Sequence, residues 1–459
     1  MKDAMTKQLI LATVIVSLLG GTIIGQKKTD RPPIPSTFRG IDATAPADQT
    51  SIGDLKWFEV FKDEELQNLV RTAMVQNYDL RAALARINAA RANLGLARSA
   101  QFPQVEGSAD LTSTHASGRT SNIGSVLLNL LSFELDIWGR VRQQRNAARA
   151  ELRASAEDRK AAMTTVVSDV ATGYFSLIEL DSELEIDKRT LAARQESLRI
   201  INSRQQGGLA TMLDVRQAEE LVYQASQTIP DTERAIEQTE NLISLLLGNN
   251  PGSISRGRPL SQQEGLPSVP AGLPSSLLDR RPDIRSAEAN LEAQGALVRA
   301  AKAAYFPRIS LTGNLGFQSN QLSNLFTSGV WSFIPQITAP IFTAGRLKSN
   351  VKFAKAQQEL AVVQYQQTIQ TAFREVSDAL VQYRKVREIR AQQELLVTTL
   401  QDRSRLAHLR YEGGIDSLLN ALDADRELFN AELSLAQTKR NELLSLVQLY
   451  KALGGGWQQ

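Results

Sequence analysis

The sequence lacks cysteine altogether and contains only two histidines, His115 and His408. Disulfides, thiolate metal sites and cysteine nucleophiles are therefore excluded. The histidines stand in no spacing typical of a zinc ligand set or a catalytic triad, so we expect one loop histidine and one helix-surface histidine. These absences predict no metal site, no cofactor and no catalytic residues. A hydrolase built on carboxylates alone remains open, although no paired carboxylate site supports it.

Aromatic residues are also scarce, and the net charge is small. Only 6% of the residues are aromatic, and a formal net charge of +3 is spread over 459 residues without a basic cluster. Nucleic acid is therefore not an expected partner. The residues that are abundant in long stretches, Ala, Leu, Gln, Glu and Arg, favour extended helices over compact cores.

Long hydrophobic runs are missing as well. The longest, Leu9–Leu19, follows Lys2 and Lys7 and has about eleven residues, where a spanning helix needs roughly twenty. This pattern predicts an export signal, and no other stretch is expected to cross a membrane as a helix. A membrane protein of this kind must insert as a β-barrel.

The chain contains one unit twice, at an offset of about 206 residues. Residues 97–103 reappear as residues 301–307, and both copies end in Phe-Pro. Because the offset is maintained along the chain, we infer a duplication rather than a motif that recurs by chance. The predicted organisation is a signal peptide at 1–21, an extended segment at 22–62, a first repeat at 63–248, a Gly/Pro/Ser-rich linker at 249–274, a second repeat at 275–454 and a tail at 455–459.

Two pairs of alternating strands follow the Phe-Pro sites. In the first strand, for example, Val105 and Leu111 lie on the face opposite Glu106, whereas Pro335 and Pro340 interrupt the pattern of the fourth. Strands of about ten residues with this alternation suit a water-filled membrane barrel, or a soluble sheet with one face on a core. The predicted strands cover residues 103–112, 127–137, 307–318 and 330–342.

A helix precedes each strand pair, and a very long helix follows it. We expect the first type over 63–100 and 276–304, and the second, which contains no proline, over 139–206 and 345–412. At 1.5 Å per residue a long helix would extend on the order of 100 Å. Apolar residues at spacings of three and four, beginning at Val166, predict coiled-coil packing. Each long helix ends at a Gly-Gly pair that permits a turn into a returning helix.

One chain supplies only four strands, whereas membrane barrels need at least eight. Three copies would supply twelve. The predicted fold class is therefore mainly α with a small membrane β-barrel portion. A long antiparallel coiled-coil α-barrel is joined to four strands per chain, which close a 12-stranded barrel as a trimer. Such an assembly is a conduit.

Short motifs occur one after another along most of the chain. They are RPPIP at 31–35, WFEVFKD at 57–63, NYDLRAA at 77–83, FELDIWGR at 133–140, RRPDI at 280–284 and APIFTAGR at 339–346. In this order they resemble the TolC-like outer-membrane efflux factors, especially the branch that works with resistance-nodulation-division pumps. The resemblance implies a homotrimer in the outer membrane whose helical tunnel docks on a periplasmic adaptor and an inner-membrane pump.

The segment after the signal departs from the pattern of this family. Its members usually carry a lipidated cysteine after a Leu-x-Gly segment, but Gly20 and Gly21 are followed by Thr22, which cannot be lipidated. Either this position has been altered or the barrel alone anchors the protein in outer-membrane lipid.

A polar stripe is predicted just after the second Gly-Gly pair. Asp416, Asn420 and Asp423 stand at i, i+4 and i+7, which places them on one helix face. The resemblance implies a periplasmic gate here: Asp423, and Asp214 in the first repeat, match the family's gate carboxylates, whereas Asn420 and Asp416 match less well. Three copies of Asp423 at a constriction would repel one another and attract cations. An ordinary solvated helix face would show the same stripe.

The Gly-Gly turns are the predicted hairpin tips, at 207–211 and 413–417. Turn geometry alone explains their glycines, and only the resemblance implies contact with an adaptor. The expected contact residues are Gly207, Gly208, Leu209, Thr211, Gly413, Gly414, Ile415 and Ser417.

The main predicted function is that of the outer-membrane channel of a tripartite efflux pump for drugs or other small molecules. The same architecture serves as the exit duct of type I protein secretion, from which only the partner distinguishes it. An exported coiled-coil scaffold would explain the long helices but not the two barrel-type strand pairs.

Overall fold

The computed structural model describes residues 32–35, 37–39, 51–263 and 274–457. The predicted signal peptide and Thr22 lie outside these residues, as do parts of the 22–62 segment, of the linker and of the tail. The chain divides into two units, Met1–Ile34 and Pro35–Gln459. The described residues of the first unit, 32–34, have no regular secondary structure. All helices and strands named below belong to the second unit.

The described elements occur in two matching series. The first is α1 (Trp57–Val60), α2 (Glu64–Gln76), α3 (Tyr78–Ser99), β1 (Val105–Ala116), β2 (Arg119–Leu135), α4 (Arg140–Gln206) and α5 (Met212–Leu246). The second is α6 (Pro274–Arg280), α7 (Pro282–Ala303), β3 (Arg308–Ser319), β4 (Gly329–Thr338), α8 (Arg346–Glu412) and α9 (Leu418–Ala452). Helices α4 and α8 have 67 residues each, and α5 and α9 have 35 each. Equal lengths indicate that one unit was duplicated.

The helix predicted over 63–100 is two helices, because Asn77 separates α2 from α3. Its Oδ1 accepts hydrogen bonds from the N–H groups of Asp79 at 2.9 Å and Leu80 at 3.2 Å, which caps the second helix. Its Nδ2 donates to the carbonyl oxygen of Leu246 at 2.8 Å. The prediction of one continuous helix is therefore wrong here.

The helix predicted over 276–304 is also two helices. Pro282 occupies the first position of α7, and proline disfavours helical backbone in the residue before it. Arg281 accordingly has extended backbone and separates α6 from α7. Both repeats thus open with a short helix that is set off from a longer one of 22 residues.

The four strands form one antiparallel sheet in the order β1-β2-β3-β4. Residues directly opposite each other on paired strands share a face of the sheet. The register places apolar and polar residues in alternating rows. One apolar row consists of Gly107, Leu128, Leu315 and Trp331, and the adjacent polar row consists of Glu106, Asn129, Asn314 and Ser332.

The apolar face of this sheet is open to solvent in the single chain. Leu128, Leu315 and Trp331 are 56%, 61% and 76% exposed. A soluble sheet would pack such a face on a core, whereas a membrane barrel turns it to lipid. The exposed apolar face therefore favours the barrel over the soluble sheet.

Several strand ends differ from the prediction. Strand β2 begins at Arg119 rather than near 127, and β4 ends at Thr338 rather than at 342. Pro340 lies beyond the end of β4, whereas Pro335 lies inside it, opposite Leu311 of β3. His115 lies within β1, so its assignment to a loop is wrong.

The junction between β2 and α4 is held by polar contacts within the FELDIWGR motif. Arg140 donates to both carboxylate oxygens of Glu134, at 2.9 and 2.6 Å. Asp136, predicted to lie in the strand, instead accepts from the N–H groups of Val141 and Arg142 at 2.9 and 2.7 Å. A carboxylate there satisfies the free amides at the start of the long helix.

The main apolar core lies around the central parts of α4 and α8. Val166, Val170 and Leu177 of the predicted heptad series are buried there, together with Ile369 and Val376 of α8. Toward the tips the predicted heptad residues are only partly buried, except for Ile201, which is 1% exposed.

No helix after the signal peptide is expected to cross a membrane, and the composition of one described helix bears on this expectation. Among the described helices, α4 alone contains an 18-residue stretch apolar enough to cross a membrane. Because 67% of that stretch is buried inside the chain, packing in the core explains its composition.

Candidate gate and hairpin tips

The two hairpin tips share one backbone geometry. In each Gly-Gly pair only the second glycine adopts the left-handed region, with φ of +74° at Gly208 and +68° at Gly414. Gly207 and Gly413 have φ of −78° and −74° and continue the helical backbone. The left-handed residue reverses the chain direction, and glycine takes that conformation without a Cβ clash.

An apolar residue follows each Gly-Gly pair. The N–H of Leu209 donates to the carbonyl oxygen of Arg204 at 2.8 Å, and that of Ile415 donates to Arg410 at 2.9 Å. These hydrogen bonds close the turns in the manner of a Schellman motif. The Leu209 and Ile415 side chains remain 74% and 70% exposed, so each hairpin ends in unpartnered apolar surface.

The two hairpins pack together just above their tips. A small apolar cluster contains Ile201 and Val215 from the first hairpin and Leu418 from the second. The Arg204 guanidinium lies over the ring of Tyr411, 4.8 Å from its centroid. The two tips of one chain therefore form one contiguous end.

Asp214 forms a capping box with Thr211 at the start of α5. Its Oδ2 accepts from the Thr211 N–H at 2.7 Å and from the Thr211 hydroxyl at 2.8 Å. The Asp214 N–H in turn donates to Thr211 Oγ1 at 3.2 Å. This arrangement satisfies free amides of the helix start, so Asp214 has a local structural partner in addition to its predicted gate role.

Asp416 does not belong to the predicted helical stripe, because α9 begins only at Leu418. Its carboxylate accepts from Asn420 Nδ2 at 2.6 Å, the Ser417 N–H at 2.9 Å and Arg410 Nε at 3.2 Å. The Ser417 amide, followed by Asn420 and Arg410, holds the pKa of Asp416 below its ordinary value. The stripe of three is therefore corrected to two helical residues, Asn420 and Asp423.

Asp423 lies between two arginines. Its Oδ2 accepts from Arg403 of α8 at 3.0 Å, and its Oδ1 pairs with Arg426 on its own helix. The carboxylate and both guanidinium groups are partly exposed. Asp423 thus connects α9 to α8 and does not present an isolated negative charge, a feature that the spacing in the sequence could not reveal.

A polar cluster next to Asp423 was missed in the sequence. Asp425 Oδ1 accepts from the Ser404 hydroxyl at 2.6 Å, and its Oδ2 lies 2.8 Å from Nε2 of His408. His408 is half-buried in this contact, so it is not the plain surface histidine that was expected. The i, i+4 spacing of Ser404 and His408 was the available signal, but their partner lies on another helix.

Arg194 links the first hairpin to this region. It is 7% exposed, donates to the carbonyl oxygen of Leu221 at 2.9 Å and lies over the ring of Phe429, 5.2 Å from its centroid. Burial lowers the pKa of Arg194, against the opposing influence of the carboxylates of Asp425 and Asp187. Helices from both hairpins therefore share one buried cation.

No group of three or more His, Cys, Asp or Glu side chains suited to a metal ion occurs within the described ranges. The polar contacts at this end are ion pairs, caps and hydrogen bonds between helices.

The sequence matches the family model described as outer membrane efflux protein over residues 69–249 and 273–455. The probable efflux pump outer membrane protein TtgC of Pseudomonas putida is 37% identical over 470 aligned residues, covering 99% of this chain and 97% of TtgC. The outer membrane protein OprJ of Pseudomonas aeruginosa is 35% identical over 460 residues, covering 98% of this chain and 96% of OprJ.

Solved channel structures share the fold. The open state of the MtrE outer membrane channel of Neisseria gonorrhoeae has a TM-score of 0.87 at 32% identity, covering 95% of this chain and 99% of that one. CusC has a TM-score of 0.86 at 32% identity, covering 95% of this chain and 100% of that one. The predicted fold class and family resemblance are thereby confirmed. With both repeats matched, the chain belongs to the outer membrane efflux protein family.

Proposed function

We propose that this chain is one subunit of the outer-membrane channel of a tripartite efflux pump. The observation that carries the proposal is the sheet, whose apolar face is exposed and whose outer strands, β1 and β4, each pair on one side only. Four strands cannot close a barrel, and three copies would supply twelve. The helical hairpins then extend the conduit into the periplasm by about 100 Å.

Its partners are two further copies of the chain, outer-membrane lipid, a periplasmic adaptor and an inner-membrane resistance-nodulation-division pump. Relatives are named as efflux pump outer membrane proteins, which favours this function over a type I secretion duct or a scaffold. The chain conducts its cargo passively, and we expect it to have no catalytic activity of its own.

We further propose small organic compounds as the cargo. Similar proteins are named for toluene, antibiotic and solvent efflux. A strain that lacks its own outer-membrane efflux channel and is complemented with this chain should regain tolerance to such compounds. Secretion of a protein substrate without restored tolerance would instead support the type I duct.

Two adjacent residues on opposite faces of β3 test the barrel directly. Leu315 lies on the apolar face and Asn314 on the polar face. Leu315→Arg should abolish outer-membrane assembly, because an arginine facing lipid costs about 2–4 kcal/mol at the membrane midplane. The matched variant Asn314→Arg places the same side chain in the water-filled lumen and should assemble. Assembly of each variant is measured in outer-membrane fractions, from the gel-electrophoretic mobility of the trimer with and without heating. Equal assembly of the two variants would contradict a lipid-facing apolar side.

We also propose that the end of the hairpins is the periplasmic gate. Asp423 and Asn420 lie on α9, Asp416 just before it and Asp214 at the start of α5. The proposal is supported by the pairing of Asp423 with Arg403, which ties neighbouring helices together near the tips. An ion pair that is open to water can be broken at low cost, as a gate requires.

The tips themselves are proposed as the adaptor-docking surface. Exposed apolar side chains are concentrated there, since Leu209, Met212, Leu213, Ile415 and Leu419 are all exposed. The Gly-Gly turns place these side chains at the end of each hairpin. Cross-linking from an engineered cysteine at Leu209 to the adaptor tests this contact, because the chain has no other thiol.

A further inference from the structure

Asp425 is fixed by two side chains from the neighbouring helix. Ser404 and His408 stand one turn apart on α8, and their polar atoms lie 2.6 and 2.8 Å from the two carboxylate oxygens of Asp425. Two contacts on both oxygens restrain rotation of α9 more strongly than one would. Asp423 is two residues earlier and points about 200° away around α9. The orientation of the proposed gate carboxylate therefore depends on the Asp425 contacts.

The first hairpin has no counterpart of this cluster. At the repeat offset of about 206 residues, Leu198 corresponds to Ser404, Asn202 to His408 and Glu219 to Asp425. Leu198 instead packs on the apolar cluster near the tips. At these corresponding positions the first hairpin thus has an apolar side chain, and the second has a polar contact that includes a titrating group. Of these two, only the polar contact responds to protons.

The charged groups around His408 define how it titrates. Asp425 faces it from α9, Glu412 from α8 itself, and Arg194 of α4 lies beyond Asp425. Arg405, also on α8, is engaged by Asp402 at 2.7 Å. The hydrogen bond to Asp425 raises the pKa of His408 above its ordinary value near 6.5, against the opposing effect of burial. Histidine is the side chain whose ordinary pKa lies nearest to neutral pH, so its charge can respond to moderate changes in pH.

We propose that Ser404, His408 and Asp425 form a proton-operated clamp that positions α9 and holds the gate closed. The proposal rests on the channel function proposed above and adds a regulation to it. With His408 charged, the contact to Asp425 is an ion pair reinforced by a hydrogen bond. With His408 neutral, only a weaker hydrogen bond remains.

The direction of the pH effect follows from linkage. The pKa of His408 is raised in the clamped state, so that state binds the proton more tightly than a state in which the contact is broken. Clamping is fully supported below about pH 6.5, the ordinary pKa, and is lost as pH rises through the raised pKa. The open fraction of the channel should therefore increase with pH.

The test is the open probability of the full-length channel in planar bilayers between about pH 5.5 and 8.5. Wild type should open about threefold more at the upper end, since a neutral hydrogen bond is roughly half as strong as the charge-assisted one that it replaces. His408→Gln keeps a donor toward Asp425 but cannot titrate, and should abolish the dependence. His115→Gln, at the only other histidine, should retain the wild-type profile.

A second readout does not depend on conductance. Leu419 is exposed near the tip, and a spin label on Leu419→Cys would be the only thiol adduct in each subunit. Distances between labels in the trimer should increase with pH in wild type and stay constant in His408→Gln. An unchanged pH profile in His408→Gln by both readouts would overturn the clamp while leaving the channel intact. Absence of any conducting oligomer would overturn the channel function and the clamp together.

Discussion

The Asp423 carboxylate takes part in two ion pairs and is not an isolated charge. It accepts from Arg403 on α8 and Arg426 on α9, so two cations face one carboxylate within a single subunit. A ring of three such groups would not repel itself as three isolated carboxylates would. The closing contribution that we propose for Asp423 would therefore come from the bond between helices.

Replacing Asp423 with Ala should loosen the closed end. An exposed ion pair contributes about 0.2–1 kcal/mol, so the open probability should rise by up to roughly fivefold. Asp402→Ala removes an exposed ion pair of the same hairpin, that with Arg405, without breaking a contact between helices. Single-channel recording of both variants checks this. An open probability in Asp423→Ala equal to that of Asp402→Ala would argue against the gate assignment.

The N-caps of the returning helices differ between the repeats. Thr211 accepts from the Asp214 amide, whereas Ser417 makes no side-chain capping bond. Thr211→Ala should destabilise the start of α5 by about 1 kcal/mol, while Ser417→Ala should have little effect on α9. Amide hydrogen exchange at the two tips measures both. Exchange should accelerate about fivefold next to Thr211 only, and equal changes at both tips would contradict the asymmetry.

At the scale of elements, the hairpin turn sets a requirement on one glycine of each pair. Gly208 has φ of +74°, and an added Cβ would meet no neighbouring atom there, so any cost of a side chain comes from the backbone. Gly208→Ala should therefore destabilise the tip by about 1–2 kcal/mol. Gly207 is helical, and its added Cβ would lie in ordinary contact, 3.5 Å from Arg204 O.

Gly207→Ala is the matched control and should be neutral. Protease accessibility at the tip compares the two variants, and faster cleavage is expected in Gly208→Ala alone. Equal cleavage of both variants would mean that the left-handed backbone at Gly208 does not constrain the turn.

Local signals made the long helices predictable from the sequence. Both end at Gly-Gly pairs, and apolar residues recur at heptad spacing where the helices pack in the core. The break at Asn77 was missed because its second partner, Leu246, lies 169 residues away. The helical periodicity of residues 63–100 does not indicate a contact with a residue so distant in the sequence.

The candidate site was predictable only in part. The resemblance indicated Asp423, but its partner Arg403 lies on a different helix, and Asp425 with His408 is likewise a contact between helices. Asp416 was placed on the helix because spacing alone does not mark where α9 begins. Pairing between elements is a tertiary property that no periodicity encodes.

At the scale of the whole molecule, the sheet explains why the chain must assemble. Strands β1 and β4 are the two edges of the sheet, and an unpaired edge in lipid leaves backbone groups without hydrogen bonds. Joining β4 of one copy to β1 of the next satisfies these groups and continues the apolar face. Closure after three copies gives twelve strands and leaves no edge.

The most direct test of this composite barrel is the detergent-corrected mass of the membrane-extracted protein. Three subunits of 50.5 kDa predict a particle of about 150 kDa. A mass near 150 kDa would support closure by three copies. A monomer of about 50 kDa that is soluble without detergent would contradict the channel, since four strands cannot close a membrane barrel alone.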